Sequence, residues 1–206
     1  MFARSTTVQA HRGSLDRGIM LIQDEILPAV LDTPGCIGMS LLADRDSGRC
    51  IATTAWESRE AMADSAGTIR PMRDRAADSM GGTAQVDEWE IALLHRDHLS
   101  HSGACARVTW LRFDPSMMDR SRALFRDEIL PQMEEMPGFC SASLMLDPTE
   151  GYAAASFVFD GMEAMAASRE RTMRMRADTA AELSAQILEV GEFELVMAHL
   201  RVPELV

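Results

Sequence analysis

The chain has 206 residues, enough for one domain or two small ones, and its 47% hydrophobic and 25% charged residues are those of a globular protein. A net charge of −12 spread along the chain lacks the basic footprint that nucleic acid phosphates demand and mainly favours solubility. All twenty basic residues are Arg, with no Lys and no Asn, which excludes a Schiff-base lysine and a Walker-type phosphate loop; G-x-G-x-x-G is missing as well.

In chain order, "ARSTTVQAH" (Ala3–His11) is rich in β-branched residues and reads as an opening strand. A helix follows that contains "DEILP" (Asp24–Pro28), whose proline removes a backbone hydrogen bond and should bend or interrupt the last turns. Pro34-Gly35 stops that helix and turns the chain into "CIGMSLLAD" (Cys36–Asp44). The turn "RDSG" leads to a return strand, "RCIATTAWE" (Arg49–Glu57), which makes a hairpin. A second helix starts near Ser58, and a last strand ends at His95.

The order then repeats. Residue n lies over residue n+103 without a gap: "DEILP" recurs at Asp127–Pro131, Pro-Gly at Pro137-Gly138, and "EAMA" at both Glu60–Ala63 and Glu163–Ala166. The second opening strand is "ARVTWLRFD" (Ala106–Asp114), after which Asp114 can cap a helix that Pro115 begins. With one inserted residue, "DEWEIALLH" (Asp87–His95) matches "GEFELVMAH" (Gly191–His199). The chain divides into a first repeat over 1–95, a linker over 96–104 and a second repeat over 105–206. Each repeat is βαββαβ, the ferredoxin-like plan. One such sheet leaves a face bare, so two copies in one chain predict a single-chain, pseudo-dimeric α+β barrel, with further oligomerisation left open.

"TPGCIGMSLLADRDSG" followed by "TTAWESREAMADSA" (Thr53–Ala66), with "DEWEIALL" and "GEFELVMA" as closing strands, resembles the antibiotic-biosynthesis-monooxygenase family of the dimeric α+β barrel superfamily. The resemblance spans nearly all of both repeats and implies the barrel fold. It also implies working positions: an Asn on the first strand, and in haem-degrading members a His and a Trp on the second helix. Here the matching positions hold Thr6 and Thr109, Asp74 and Ala177, and Ser65 and Ser168. The resemblance therefore implies no haem, and no cofactor is expected.

Other residues invite chemistry. His95 and His199 end both closing strands, and alternation puts His95 on the face of Trp89, Ile91 and Leu93. They are the candidates for a catalytic base; the competing reading is a packed imidazole. Trp56, Trp89 and Trp110 lie on or beside strands and are candidates to line a pocket. Arg4 and Arg107, repeated on the first strand, are candidates to anchor an anionic group. His95, His98 and His101 form H-x-x-H-x-x-H, but Gly103 and the Ser residues read as linker and no Cys or carboxylate completes an obvious set, so no metal is expected. The four cysteines (Cys36, Cys50, Cys105, Cys140) show no C-x-x-C pair and read as reduced core thiols.

The N-terminal stretch lacks a signal-peptide core and no apolar run could cross a bilayer, so a cytoplasmic protein without a membrane partner is expected. Two functional readings follow. The first is a barrel that binds a small, largely apolar molecule without the family's usual catalytic residues. The alternative is a cofactor-independent, monooxygenase-like enzyme for a small aromatic or polyketide-like substrate. Trp56 and Trp89 face Phe159 and Phe193 in the second copy, so loss of two indole donors predicts that binding resides mainly in the N-terminal repeat.

Overall fold

The computed structural model describes residues 1–11, 13–200 and 203–205, excepting the Leu200 side chain. Eight strands carry the fold: β1 Phe2–Gln9, β2 Cys36–Asp44, β3 Arg49–Trp56, β4 Ala84–Arg96, β5 Cys105–Arg112, β6 Phe139–Asp147, β7 Tyr152–Phe159 and β8 Gln186–Leu200. Hydrogen-bonded neighbours run β1-β3-β2-β8-β5-β7-β6-β4 and close on themselves as a barrel. The expected pair of βαββαβ repeats in an α+β barrel is what the chain forms.

Two compact units make up the chain. The first holds residues 1–89 and 196–202, the second 90–195 and 203–206. They differ from the sequence repeats because β4 and β8 are long, and each runs from one unit into the other. Within the first unit β3 pairs with β1 and with β2, antiparallel, with an irregularity between Cys36 and Gly38. The second unit repeats this with β7 between β5 and β6, and the irregularity falls between Phe139 and Ser141.

The duplicated "DEILP" phrase has a structural cause. Helix α1 (residues 15–31) is Leu15–Leu21, then one π turn over Ile22–Ile26, then Leu27–Leu31. Helix α3 (residues 118–134) is built alike, with its π turn over Phe125–Ile129. Leu27 and Leu130 donate their N–H groups to the carbonyls of Ile22 and Phe125, five residues back. A widened turn just before the proline relieves the clash its ring would make with the preceding turn, so the helix continues instead of breaking. Asp114 caps the 3-10 turn Pro115–Met117 by accepting from the Ser116 N–H at 2.9 Å.

After each helix the Pro-Gly pair uses left-handed glycines, Gly35 at φ +77° and Gly138 at φ +76°. At Gly35 a Cβ would also lie 2.5 Å from the Ala61 Cβ, so glycine serves both the turn and the close approach of the second helix. That helix, α2 (residues 59–80), comprises Arg59–Asp64 and Ala66–Met80; its counterpart α4 (residues 162–182) comprises Met162–Ala167 and Arg169–Glu182. Each unit thus has its own apolar core between sheet and helices. The first centres on residues such as Ile19, Ile26, Leu41 and Met80; the second on Phe125, Met133, Leu146 and Phe159.

Candidate functional site: a cavity beneath the helices of each unit

Every second residue of β1 and β5 points at the helices. Arg4, Thr6 and Val8 line a cavity in the first unit, and Arg107, Thr109 and Leu111 line its counterpart in the second. The space between the lining side chains, open solvent included, amounts to about 540 Å³ in the first and about 650 Å³ in the second. Side chains explain the difference. Gly18 lets Met80 lie close, since a Cβ there would meet the Met80 Cγ at 2.3 Å. In the second repeat these positions hold Ser121 and Leu183, and Ala153 replaces Cys50. Phe125 and Phe157 stack at 5.6 Å beside the second cavity and keep its wall apolar.

One buried arginine on the first strand of each unit lines its cavity, Arg4 in the first and Arg107 in the second. Arg107 donates from Nε and Nη2 to Glu192 Oε1 at 3.0 and 2.9 Å, and from Nη1 to Ser168 and Thr172 hydroxyls at 2.9 and 2.8 Å. A bond from Nη2 to the Met165 carbonyl at 2.7 Å completes all five of its donors. Arg4 repeats the pattern with Glu88 Oε1, Ser65 and the Met62 carbonyl, but Ile69 stands where Thr172 would be. Ser65 and Ser168, which occupy the position where haem-degrading members of the resembled family carry Trp, thus hold the arginines in place.

A second arginine lines each cavity from the last helix, Arg73 on α2 and Arg176 on α4. Arg73 Nε contacts the neighbouring Asp74 carboxylate at 3.2 Å. At the position equivalent to Asp74 the second repeat has Ala177. Arg176 Nη1 therefore reaches only the Thr109 hydroxyl, at 3.4 Å, and among the described residues it has no ion pair. The nearby Glu192 carboxylate is held by Arg107 on Oε1 and by Arg169, at 2.8 Å, on Oε2. Burial, reinforced by the Arg107 charge, holds the Arg176 guanidinium below its ordinary pKa. A half-buried cation in an apolar pocket is thus left to a ligand or to water.

The other candidates lie elsewhere. Trp56 is fully buried in the first core and donates to the Thr54 hydroxyl at 3.0 Å. Trp89 donates to the Ser5 hydroxyl at 2.8 Å, and Ser5 alternates away from the cavity. Trp110, between Thr109 and Leu111, faces the opposite side of β5 and meets Phe193 edge-on at 6.2 Å. All three are packing residues, so the Trp-to-Phe exchanges between repeats change neither cavity wall. The expectation of a dominant N-terminal site loses its basis, and the unpaired cation is in the second repeat.

His95 departs from the face of Trp89 because β4 slips by one residue against β6 between Ile91 and Leu93, which reverses the alternation. It stacks on Phe139 with ring centroids 6.4 Å apart, and its Nε2 lies 2.9 Å from Glu134 Oε1, close but off the hydrogen-bonding direction. His199 is exposed on β8. Neither lines either of these two cavities. Arg73 and Arg176 escaped the sequence reading although they are a repeat pair at offset 103, preceded both times by Met; in an Arg-rich helix that signal is easily taken for a solvated face.

Residues 1–68 match the family described as antibiotic biosynthesis monooxygenase. The uncharacterized protein Rv2558 of Mycobacterium tuberculosis is 52% identical over 207 residues, covering 100% of this chain and 88% of that protein. The uncharacterized protein Rv2557 of the same organism is 48% identical over 206 residues, covering 100% and 92%. The chain belongs to the family of these two mycobacterial proteins, and its first 68 residues carry the antibiotic-biosynthesis-monooxygenase match. Among solved structures, an anthrone oxidase-like protein superposes with a TM-score of 0.69 at 14% identity, covering 99% of this chain and 94% of the other. A monooxygenase-like protein of Listeria innocua gives 0.55 at 7% identity, covering 93% of each. These likenesses show the fold. No helix among the described residues is long and apolar enough to cross a membrane.

Proposed function

We propose that this family member binds a small, largely apolar molecule carrying one anionic group, in the cavity of the second repeat. The observation that carries the reading is Arg176: a half-buried guanidinium in a largely apolar cavity, with no ion pair among the described residues. Desolvating a cation is costly unless an anion meets it, and a carboxylate offers two oxygens to the guanidinium fork. The narrow wall of Phe125, Ile129, Met133 and Met175 suits a slender apolar tail. Arg107, with all its donors engaged, positions the wall and adds positive charge.

Oxygenation without a cofactor is the second reading, favoured because Thr6 and Thr109, in the positions where the resembled family places its working Asn, do line the cavities. Among the described lining residues, however, neither cavity includes a His, Asp, Glu or Tyr. Proton abstraction from a substrate would lack a general base there, which weighs toward binding. A small-molecule binder in the cytoplasm, without nucleic acid or membrane partners, fits this reading.

Calorimetric titration with decanoate and with its methyl ester tests it. Decanoate is expected to bind with one site and the ester much more weakly; Arg176→Met should abolish the difference. Equal affinity for acid and ester would sink the anion reading. Oxygen uptake with an anthrone as probe would instead support the enzyme.

A further inference from the structure

The linker histidines look inert in sequence, because their missing partners lie 40 to 60 residues further on. The fold brings those partners in. Asp160, just past β7, and Cys140, on β6, meet His98 and His101 at one point of the second unit. Asp160 Oδ1 is the hub: His98 Nε2 lies 2.9 Å away, Cys140 Sγ 3.2 Å and His101 Nε2 3.3 Å. The donor atoms of His98, Cys140 and Asp160 lie within 4.8 Å of one another.

We propose that His98, His101, Cys140 and Asp160 form a binding site for a divalent transition-metal ion of zinc type. Four donors around a tetrahedral zinc, at bonds of about 2.0–2.3 Å, stand roughly 3.3–3.7 Å apart. The three distances to Asp160 are hydrogen-bond lengths at or below that spacing, and His101, which reaches Asp160 but stands outside the three donors within 4.8 Å of one another, would turn inward to complete the set. The mixture of imidazole, thiolate and carboxylate suits zinc or cobalt better than the hard, all-oxygen ions calcium and magnesium.

Both histidines are already turned for the task. His98 Nδ1 lies 2.8 Å from the Asp97 carboxylate, and His101 Nδ1 lies 2.8 Å from the Ser102 carbonyl. Those acceptors fix Nδ1 as the protonated nitrogen and aim each Nε2 at the cluster; at His98 a metal would take the place of the Nε2 proton that now bonds Asp160. Asp97 is thus a positioning residue.

The first repeat is an internal control. There the same strand-end closure is made, Glu57 N–H to the Gly35 carbonyl at 2.9 Å, as Asp160 N–H bonds the Gly138 carbonyl at 2.8 Å. Yet Ile37 stands in the place of Cys140, and Glu57 in the place of Asp160. The backbone closure therefore needs no polar cluster. The second repeat carries one in addition, beside a linker that occurs once in the chain.

Titration of the full-length, chelator-stripped protein with Co²⁺ tests the site, because a Cys ligand gives a thiolate-to-cobalt charge-transfer band in the near ultraviolet. One equivalent should bind with that band, and Zn²⁺ should displace it. Binding releases to solvent both the thiol proton of Cys140 and the Nε2 proton of His98. Cys140→Ser should remove the band, and His98→Ala should weaken binding at least tenfold. Asp97→Asn should cost about tenfold or more through the loosened imidazole. Should Cys140→Ser fail to fold by circular dichroism, the exposed His98→Ala and His101→Ala variants carry the test. Absence of cobalt binding, or a band that persists in Cys140→Ser or in the double histidine variant, would overturn the site.

Discussion

Arg73 and Arg176 occupy equivalent positions in the two repeats, yet Arg73 has Asp74 3.2 Å from its Nε while Arg176 has Ala177 beside it and, among the described residues, only the Thr109 hydroxyl within reach, at 3.4 Å. One neighbouring side chain thus decides which cavity keeps an unspent positive charge. Installing the acid should transfer the first repeat's behaviour to the second. In Ala177→Asp, decanoate affinity should fall about tenfold, the scale of one charge-assisted hydrogen bond. Calorimetry on folded variant protein reads this, and an unchanged affinity would show that Arg176 does not meet the ligand.

The two buried arginines should differ in their structural weight. Arg107 uses all five donors and Glu192 is 29% exposed, whereas Glu88 beside Arg4 is 51% exposed and the Thr172 partner is replaced by Ile69. Truncating a buried, fully paired charge leaves its partner stranded, at about 3–5 kcal/mol. Arg107→Met should therefore lower urea stability by about that amount and Arg4→Met by clearly less. Equal losses would contradict the ranking.

Packing between Gly18 and Met80 offers a second stability test. A Cβ at residue 18 would sit 2.3 Å from the Met80 Cγ, and Met80 is fully buried. Gly18→Ala should cost about 1–3 kcal/mol from overpacking. Adding Met80→Leu, which copies the Ser121 and Leu183 pair of the second repeat, should return most of it. Strictly additive losses in the double variant would mean the two side chains do not share space.

Thiol reactivity follows burial. The Cys50 thiol is pushed up to about 12 by desolvation alone. In native protein at pH 8 it should resist alkylation by iodoacetamide, and react at once in urea. Rapid native labelling, located by peptide mass mapping, would show that the first cavity opens further than its structure indicates.

The fold was legible because its signals are local and written twice: Asp114-Pro115 at a helix start, Pro-Gly at both helix ends, and a gapless offset through both hairpins. Even "DEILP" announced itself, although a helix period alone cannot say whether a proline breaks a helix or is absorbed by a π turn. The site was less legible. Arg4 and Arg107 stood out as strand residues, but their partners Glu88 and Glu192 come from the closing strands. His95 was misplaced by a single-residue slip in β4, which no alternation rule can foresee. The tryptophans drew attention by size, while the cavity is decided by Arg176, Ala177 and Ser121, small differences visible only once α4 lies over β5.

The most direct test of the binding account uses the methionines as reporters. Met133 and Met175 line the second cavity, whereas Met39, Met72 and Met80 line the first. With ¹³C-methyl-methionine protein, saturating decanoate should shift the methyl resonances of Met133 and Met175 and leave those of Met39, Met72 and Met80 in place. Shifts confined to Met39, Met72 and Met80, or no methyl shift at all at saturation, would contradict a ligand site in the second repeat.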